Sequence, residues 1–214
     1  MTDPTTDAPT HVLAATLKAR AAAAIVASCA AAGLLLRVHL AASEHGSHLA
    51  GIAHLSQFFT ILSNVLVLLL MVALARGTRL PRSLFEPTLV AIVAVGLIYH
   101  VLLAHLWSPQ GLSLVADQTV HTVVPGLVLL WWALFDPPVR ASWATAWRCT
   151  VWPLVYCAYA LLRAESSGFY PYPFLDPTHL GWGGLFVSVL GLSAAFLVLG
   201  LLLVAAGRLR LRLV

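Results

Sequence analysis

Long apolar runs alternate with short polar segments along almost the whole chain. The runs are residues 19–40, 56–75, 87–106, 115–135, 147–162 and 181–206, and the fifth is the shortest. A helix needs about 20 mostly apolar residues to cross a bilayer. The pattern therefore predicts an all-α integral membrane protein, a bundle of six transmembrane helices joined by short loops.

The two ends of the chain have a different composition from the runs. Residues 1–16 are rich in Thr, Asp and Pro, which predicts a disordered head, and residues 207–214 form a basic tail. Residues 17–206 are then the transmembrane domain. The start lacks the basic residues of a signal peptide, so we expect the first run to be a retained helix. With 60% hydrophobic residues, 9% charged residues and a mean hydropathy of +0.91, the chain is no ordinary soluble domain.

Basic residues alternate with the runs and predict the orientation. If both termini share one side, that side holds ten of the twelve basic residues, and the other side holds Arg37 and Arg163. The positive-inside rule then predicts that both termini are cytoplasmic. The pI near 9.3 follows from this bias, so no nucleic-acid partner is expected. The Arg-, Ala- and Leu-rich composition favours a multi-pass protein of a bacterial inner membrane.

Polar residues interrupt the second and fourth runs at one depth near the outer side. Thr60 and Asn64 lie in the second run, with Gln57 on the same predicted helical face, and Asp117 and His121 lie four apart in the fourth. Polar groups at membrane depth are costly and mark functional sites by default. The alternatives are that Thr60, Asn64 and Gln57 hydrogen bond neighbouring helices, and that Asp117 only favours a helix N-terminus.

Together these residues have the chemistry of nucleophilic catalysis. A threonine hydroxyl needs a base to take its proton, and His121 is the candidate base for Thr60. Asp117 could hold the imidazole tautomer. Amide hydrogens of Asn64 or Gln57, or backbone groups, could stabilise an oxyanion.

An aromatic, proline-containing segment lies in the predicted outer loop between the fifth and sixth helices. Its residues Tyr170, Tyr172, Phe174 and Asp176 are candidates for a lid over a lipid-sized pocket. The alternative is an aromatic belt that anchors the loop at the membrane interface.

Most histidines also map to the outer half, whereas the inner half is nearly pure Leu, Val and Ala. This asymmetry predicts a site facing the outer leaflet rather than a path through the membrane. Histidines without cysteine or carboxylate partners at ligand spacing favour no metal. We therefore expect no metal and no cofactor.

Three segments occur in an order that resembles a known family. Residues 58–64 (FFTILSN), His121–Thr122 and residues 170–176 (YPYPFLD) resemble the FAR-17a/androgen-induced-gene-like family, in particular its bacterial six-helix branch. The resemblance covers about residues 17–206. Animal members are threonine hydrolases that cleave fatty acid esters of hydroxy fatty acids. The resemblance therefore implies a Thr60 nucleophile and a His121 base, and it assigns nothing to Asp117.

These observations predict an intramembrane lipid-ester hydrolase whose partner is a membrane lipid or fatty-acyl ester. Two other functions remain open. One is non-catalytic binding or transport of a lipid or small molecule, with Thr60 and His121 as polar contacts. The other is a redox membrane protein that uses its histidines to hold haem or metal.

Overall fold

Helices account for nearly all of the structure, a computed structural model that describes residues 12–139 and 142–213. The α-helices are α1 (Leu17–His45), α2 (His48–Leu55), α3 (Phe59–Ala75), α4 (Arg82–Ile98), α5 (Gly111–Gln118), α6 (Val124–Phe135), α7 (Ala144–Ser167) and α8 (Pro177–Leu213). Two π-helical turns, Tyr99–Leu103 and Thr119–Val123, extend α4 and join α5 to α6. Short 3-10 turns are Ala104–Leu106 and Pro173–Leu175, and the strands are β1 (Val12–Leu13) and β2 (Leu80–Pro81).

The all-α, multi-pass character is confirmed, and each predicted run contains helix. Four helical segments within the described ranges are long and apolar enough to cross a membrane: Leu17–His45, Arg82–Leu106, Gly111–Phe135 and Pro177–Leu213. The pair α2 and α3, bent by 100°, makes a fifth if it counts as one broken span. Although α7 has 24 residues, it is not among the spans. Its arginines, threonines and tyrosines reduce its apolar content.

A buried ionic cluster closes one end of the bundle, at the start of α4. The Nη1 and Nη2 atoms of Arg82 donate to the two carboxylate oxygens of Asp136 at 3.0 and 2.7 Å. Glu86 lies 3.9 Å from Arg82, and Arg210 of α8 donates to the Asp136 carbonyl at 2.6 Å. These charged residues lie just outside the predicted apolar runs, which end at residue 135 and begin at residue 87 on this side.

The described parts of both chain ends lie beside this cluster. Strand β1 pairs antiparallel with β2, which directly precedes Arg82, and Arg20 donates to the Ala75 carbonyl at 3.0 Å. Val12 and Leu13 are thus ordered, although they fall in the head predicted to be disordered, and residues 1–11 lie outside the described part. The predicted tail continues α8 to Leu213. Which side of the membrane this end faces stays a prediction.

Small residues let the helices approach closely around the second π turn. Buried alanines recur on α1 at positions 19, 23, 27 and 30. A Cβ on Gly33 would lie 2.7 Å from Thr119, and one on Gly96 would lie 3.1 Å from the His121 carbonyl oxygen. Both glycines therefore provide room for α1 and α4 against this turn, at the end of the bundle opposite Arg82.

Candidate functional site

A sharp break between α2 and α3 lies just before Thr60. Between α2 and α3 the chain bends by 100° across residues 56–58, and the helical ladder is interrupted there. Non-helical backbone at membrane depth needs partners within the protein. Helix α7 provides them: Tyr156 Oη donates to the Gln57 carbonyl at 2.6 Å, and Tyr159 Oη donates to the Ser56 carbonyl at 3.1 Å.

Arg163, one turn further along α7, completes these contacts. Its Nη1 donates to Ser56 Oγ at 2.8 Å and to Tyr159 Oη at 2.7 Å, while its Nη2 donates to the Ala53 carbonyl at 2.6 Å. The guanidinium is thus hydrogen bonded to α2, to the break and to its own helix. Arg163 stabilises the broken span.

The break places Thr60 at a helix N-terminus, as the second residue of α3. The first backbone N–H groups of a helix have no acceptor within it, and Phe58 supplies no side-chain cap here. The hydroxyl of Tyr172, from the loop after α7, lies close to the Thr60 hydroxyl and to the Phe59 and Thr60 backbone. Burial raises the pKa of Tyr172, so this hydroxyl stays neutral.

A π turn, rather than a plain helix, carries His121. In such a turn the N–H of residue 125 would donate to the carbonyl of residue 120, but Pro125 has no N–H. The side chain of Asn64 replaces it, with Nδ2 donating to the Val120 carbonyl at 3.1 Å. The same nitrogen donates to the Thr60 carbonyl at 2.8 Å. Asn64 therefore links the first turn of α3, which carries Thr60, to the π turn that carries His121.

This bonding corrects the role expected for Asn64. Both of its amide hydrogens are already donated to carbonyls, and the side chain is fully buried. They are not available to an oxyanion, and the alternative of a bond between helices is the one observed. The Asn64 Oδ1 atom is buried without a hydrogen-bond partner in the described ranges.

Gln57 also departs from its expected place. It lies in the break between α2 and α3, so it does not share a helical face with Thr60 and Asn64. Its Nε2 donates to the His54 carbonyl at 3.2 Å and lies 3.5 Å from His54 Nδ1. Gln57 therefore organises the end of α2.

His121 belongs to a buried network with Asp117 and Tyr99. Its Nδ1 lies 3.0 Å from the Asp117 carbonyl oxygen and 3.1 Å from Asp117 Oδ1. Both neighbours are acceptors, so Nδ1 carries the proton and Nε2 is left as the basic nitrogen. Tyr99 Oη donates to Asp117 Oδ2, and the Tyr99 ring stacks on the imidazole with centroids 4.0 Å apart.

The alternative for Asp117, a carboxylate favoured by a helix N-terminus, is wrong. Asp117 is the seventh of eight residues in α5 and is completely buried. Its backbone carbonyl is the hydrogen-bond partner of His121 Nδ1, and its carboxylate lies 3.1 Å from the same nitrogen. Oδ1 itself forms no hydrogen bond within the described ranges. Tyr99 was missed from the sequence because a tyrosine near the end of an apolar run is typical of an interfacial anchor.

Thr60 and His121 line the same cavity, which has a volume of about 370 Å³. Tyr99, Tyr172 and Arg37 also line it. The two polar positions that the sequence placed at one depth thus line one cavity, and their joint role in a site stays a prediction. No hydrogen bond joins their side chains within the described residues.

A smaller apolar cavity of about 40 Å³ lies on the other side of Thr60. Its wall includes Thr60 and Tyr172, which also line the larger cavity, together with Phe59, Tyr156 and Phe196. Thr60 and Tyr172 therefore separate a partly polar cavity from an apolar one.

The loop after α7 only partly matches the predicted lid. Tyr172 and Phe174 stack with centroids 5.0 Å apart and line the cavities. Tyr170 and Asp176 line neither. Asp176 instead caps α8, accepting from the Thr178 N–H at 2.8 Å and from Thr178 Oγ1 at 2.6 Å, and these hydrogen bonds lower the pKa of its carboxyl.

No cluster of three or more His, Cys, Asp or Glu side chains suited to a metal ion occurs in residues 12–139 and 142–213. In comparisons with known proteins, no protein-family model matches the sequence. No curated protein and no solved structure matches it either. The family resemblance therefore stays a prediction, and the geometry of the site is the basis for its function.

Proposed function

We propose that the protein is an intramembrane lipid-ester hydrolase with Thr60 as nucleophile and His121 as base. The observation that carries the proposal is that Thr60 and His121 line one cavity while Asp117 holds the Nδ1–H of that histidine. A fixed tautomer leaves Nε2 to accept a proton, which is the arrangement that nucleophilic catalysis needs. The family resemblance suggests fatty acid esters of hydroxy fatty acids as substrates.

In the proposed reaction, Nε2 of His121 takes the hydroxyl proton of Thr60 as the threonine oxygen attacks the ester carbonyl carbon. The tetrahedral intermediate then expels the alcohol, which receives the proton from His121, and an acyl-threonine remains. Water deprotonated by the same nitrogen attacks the acyl carbon, and the acid leaves as the bond to Thr60 breaks and His121 returns the proton to the threonine oxygen.

The first N–H groups of α3 are the candidate donors for the oxyanion, since helix N-termini stabilise negative charge. The Tyr172 hydroxyl lies close to the N–H groups of Phe59 and Thr60. An oxyanion would therefore replace this hydroxyl. The apolar cavity behind Thr60 is also too small for a long acyl chain, so Tyr172 and Phe174 must move together for the acyl group to enter.

Non-catalytic lipid binding is the second candidate, favoured by one observation. The side chains of Thr60 and His121 are not hydrogen bonded to each other, although both line a cavity whose size is typical of ligand sites, roughly 300–1,000 Å³. A binding protein needs the cavity alone, whereas a hydrolase needs the pair to come together once substrate is bound.

Labelling with a fluorophosphonate probe in membranes distinguishes the two functions. We expect wild type and Thr60→Ser to be labelled, and Thr60→Ala and His121→Ala to lose labelling while their thermal unfolding in detergent stays close to wild type. The exposed His39 is the matched control, and His39→Gln should be labelled like wild type. Equal labelling of Thr60→Ala, with mass spectrometry placing the adduct elsewhere, would refute the threonine mechanism.

We further propose that the protein resides in a bacterial inner membrane with both termini cytoplasmic and the cavity open to the outer leaflet. The charge distribution supports this orientation. In a background without Cys29, Cys149 and Cys157, a cysteine in the segment 76–79 should resist an impermeant maleimide added to intact cells, and one at Ser166 should react. The reverse pattern would invert the orientation.

A further inference from the structure

The two arginines at the cavity end of the bundle differ in their bonding. Arg163 donates to three different residues, Ser56, Tyr159 and Ala53. Arg37, by contrast, makes no hydrogen bond and no ion pair within the described ranges, and its Nε atom is buried without an acceptor. Its one close partner is the ring of Trp107, whose centroid lies 5.6 Å from the guanidinium carbon.

The position of Arg37 along α1 makes this unusual. It lies eight residues before the end of the helix at His45, which is about 12 Å along the axis at 1.5 Å per residue. Arg37 also lies within the predicted apolar run 19–40, where arginines normally pair with a carboxylate or with carbonyl oxygens, and a charge in such a run marks a functional site by default. The protein therefore keeps a cation here without providing its counter-ion.

The groups around Arg37 point to a ligand as the missing partner. Arg37 lines the same cavity as Thr60 and His121. The carboxylate of Asp117 accepts from Tyr99 and lies 3.1 Å from His121 Nδ1, and it forms no ion pair with Arg37 among the described residues. Glu44 lines the cavity from an exposed position two helical turns further out and forms no ion pair with Arg37 among the described residues.

We propose that Arg37 binds the anionic group of the cavity's ligand, a carboxylate or a phosphate. A guanidinium presents N–H donors in a planar fork that matches the oxygens of either group. Where the proposed hydrolase function holds, Arg37 determines specificity: it selects esters that carry a negative charge and places their ester bond at Thr60.

Binding to catalytically blocked protein tests this site without any hydrolysis. Thr60→Ala protein in phosphatidylcholine nanodiscs would be titrated calorimetrically with octanoate, octyl phosphate and octanol, with and without Arg37→Gln. We expect Arg37→Gln to weaken the binding of at least one anion by about tenfold or more, and to leave octanol within about twofold. Loss for octanoate alone identifies a carboxylate ligand, and loss for octyl phosphate alone identifies a phosphate.

Two further variants show whether the effect depends on the charge and position of Arg37. Arg37→Lys should recover part of the anion affinity because it retains the charge, and His39→Gln, on an exposed position of the same helix, should bind all three compounds like the parent. Equal anion binding with and without Arg37→Gln would overturn the proposal, as would an equal loss for octanol. If Arg37→Gln does not fold, the affinities of the Thr60→Ala parent test the proposal by themselves. The parent must then bind octanoate or octyl phosphate more tightly than octanol, and equal affinities would overturn the proposal.

The same design separates this inference from the hydrolase proposal. Should Thr60 fail to react with any probe while the Arg37 effect on anions holds, the protein is an anion-binding membrane protein. Should hydrolysis be shown while neutral and anionic esters react alike in wild type and Arg37→Gln, the role of Arg37 is refuted and the hydrolase function is not.

Discussion

Removing the hydroxyl of Tyr99 tests the network that is proposed to prepare His121. Tyr99→Phe deletes one buried hydrogen bond to the Asp117 carboxylate and keeps the ring that stacks on the imidazole. Tyr99 is 5% exposed and Asp117 is 0% exposed, so water does not readily replace the lost donor. The change is therefore almost purely the loss of one hydrogen bond to a charged group.

The magnitude follows from the chemistry of that bond. Hydrogen bonds to charged groups contribute about 1.5–3 kcal/mol, so Tyr99→Phe should lower the free energy of unfolding by that amount. In Asp117→Asn the tyrosine can still donate to a neutral amide oxygen, which is worth about 0.5–1.5 kcal/mol. A double-mutant cycle of the two changes should therefore show a coupling energy of about 1 kcal/mol.

The assay is unfolding by sodium dodecyl sulfate in maltoside micelles, followed by far-ultraviolet circular dichroism. Tyr170→Phe is the matched control, because no hydrogen bond to the Tyr170 hydroxyl occurs in the described structure, and it should stay within about 0.5 kcal/mol of wild type. Esterase activity or probe labelling of the same variants should fall with Tyr99→Phe and fall further with Asp117→Asn. Additive free energies in the cycle, within about 0.5 kcal/mol, would refute the network.

Three further changes test the framework around the site by the same unfolding assay. Tyr156→Phe leaves the Gln57 carbonyl unpaired and should cost about 1–3 kcal/mol and reduce probe labelling, whereas unchanged stability would contradict its role in the break. Arg82→Met should lower the free energy of unfolding by about 3–5 kcal/mol because it leaves the buried Asp136 carboxylate without its cation. Adding Asp136→Leu should restore much of this stability, and a double variant as unstable as Arg82→Met would contradict the pairing. Gly96→Val should lower the free energy of unfolding by about 1–3 kcal/mol because its side chain would clash with the His121 carbonyl of the second π turn. Unchanged stability would show that α4 can shift away from this turn.

Hydropathy predicted an all-α, multi-pass protein correctly because lipid imposes the same demand on every spanning residue, whereas four or five of the six predicted spans qualify by length and apolar content in the described residues. It also placed Thr60 and His121 at one depth and side, which is why their shared cavity could be expected before the structure. Charge counting placed the basic segments on one side, and Arg20, Arg82 and Arg210 from three of them do lie near one end of the bundle, while the orientation stays a prediction. These predictions concern the position of a residue along the membrane normal, and the order of apolar and charged residues in the sequence is enough to estimate that position.

The partners of the site residues could not be predicted in the same way. The acceptors of Tyr156 and Tyr159 lie 99 and 103 residues away, and Asn64 reaches the Val120 carbonyl across 56 residues. Such pairs depend on which faces of the helices meet, and a single sequence does not specify this. Gln57 was misplaced for a related reason, because the break in the second span has no glycine or proline to mark it.

The low apolar content of α7 and the position of Thr60 at a helix N-terminus have one physical origin. A continuous second span would bury the N–H of Thr60 within its own ladder, and no donor would remain for an oxyanion. The break frees those groups, but it also exposes carbonyls at residues 53, 56 and 57 that lipid cannot satisfy. Tyr156, Tyr159 and Arg163 satisfy them from α7, and they make α7 too polar to qualify as a span by itself. The polar helix is therefore a structural requirement of the broken one, and the site depends on both.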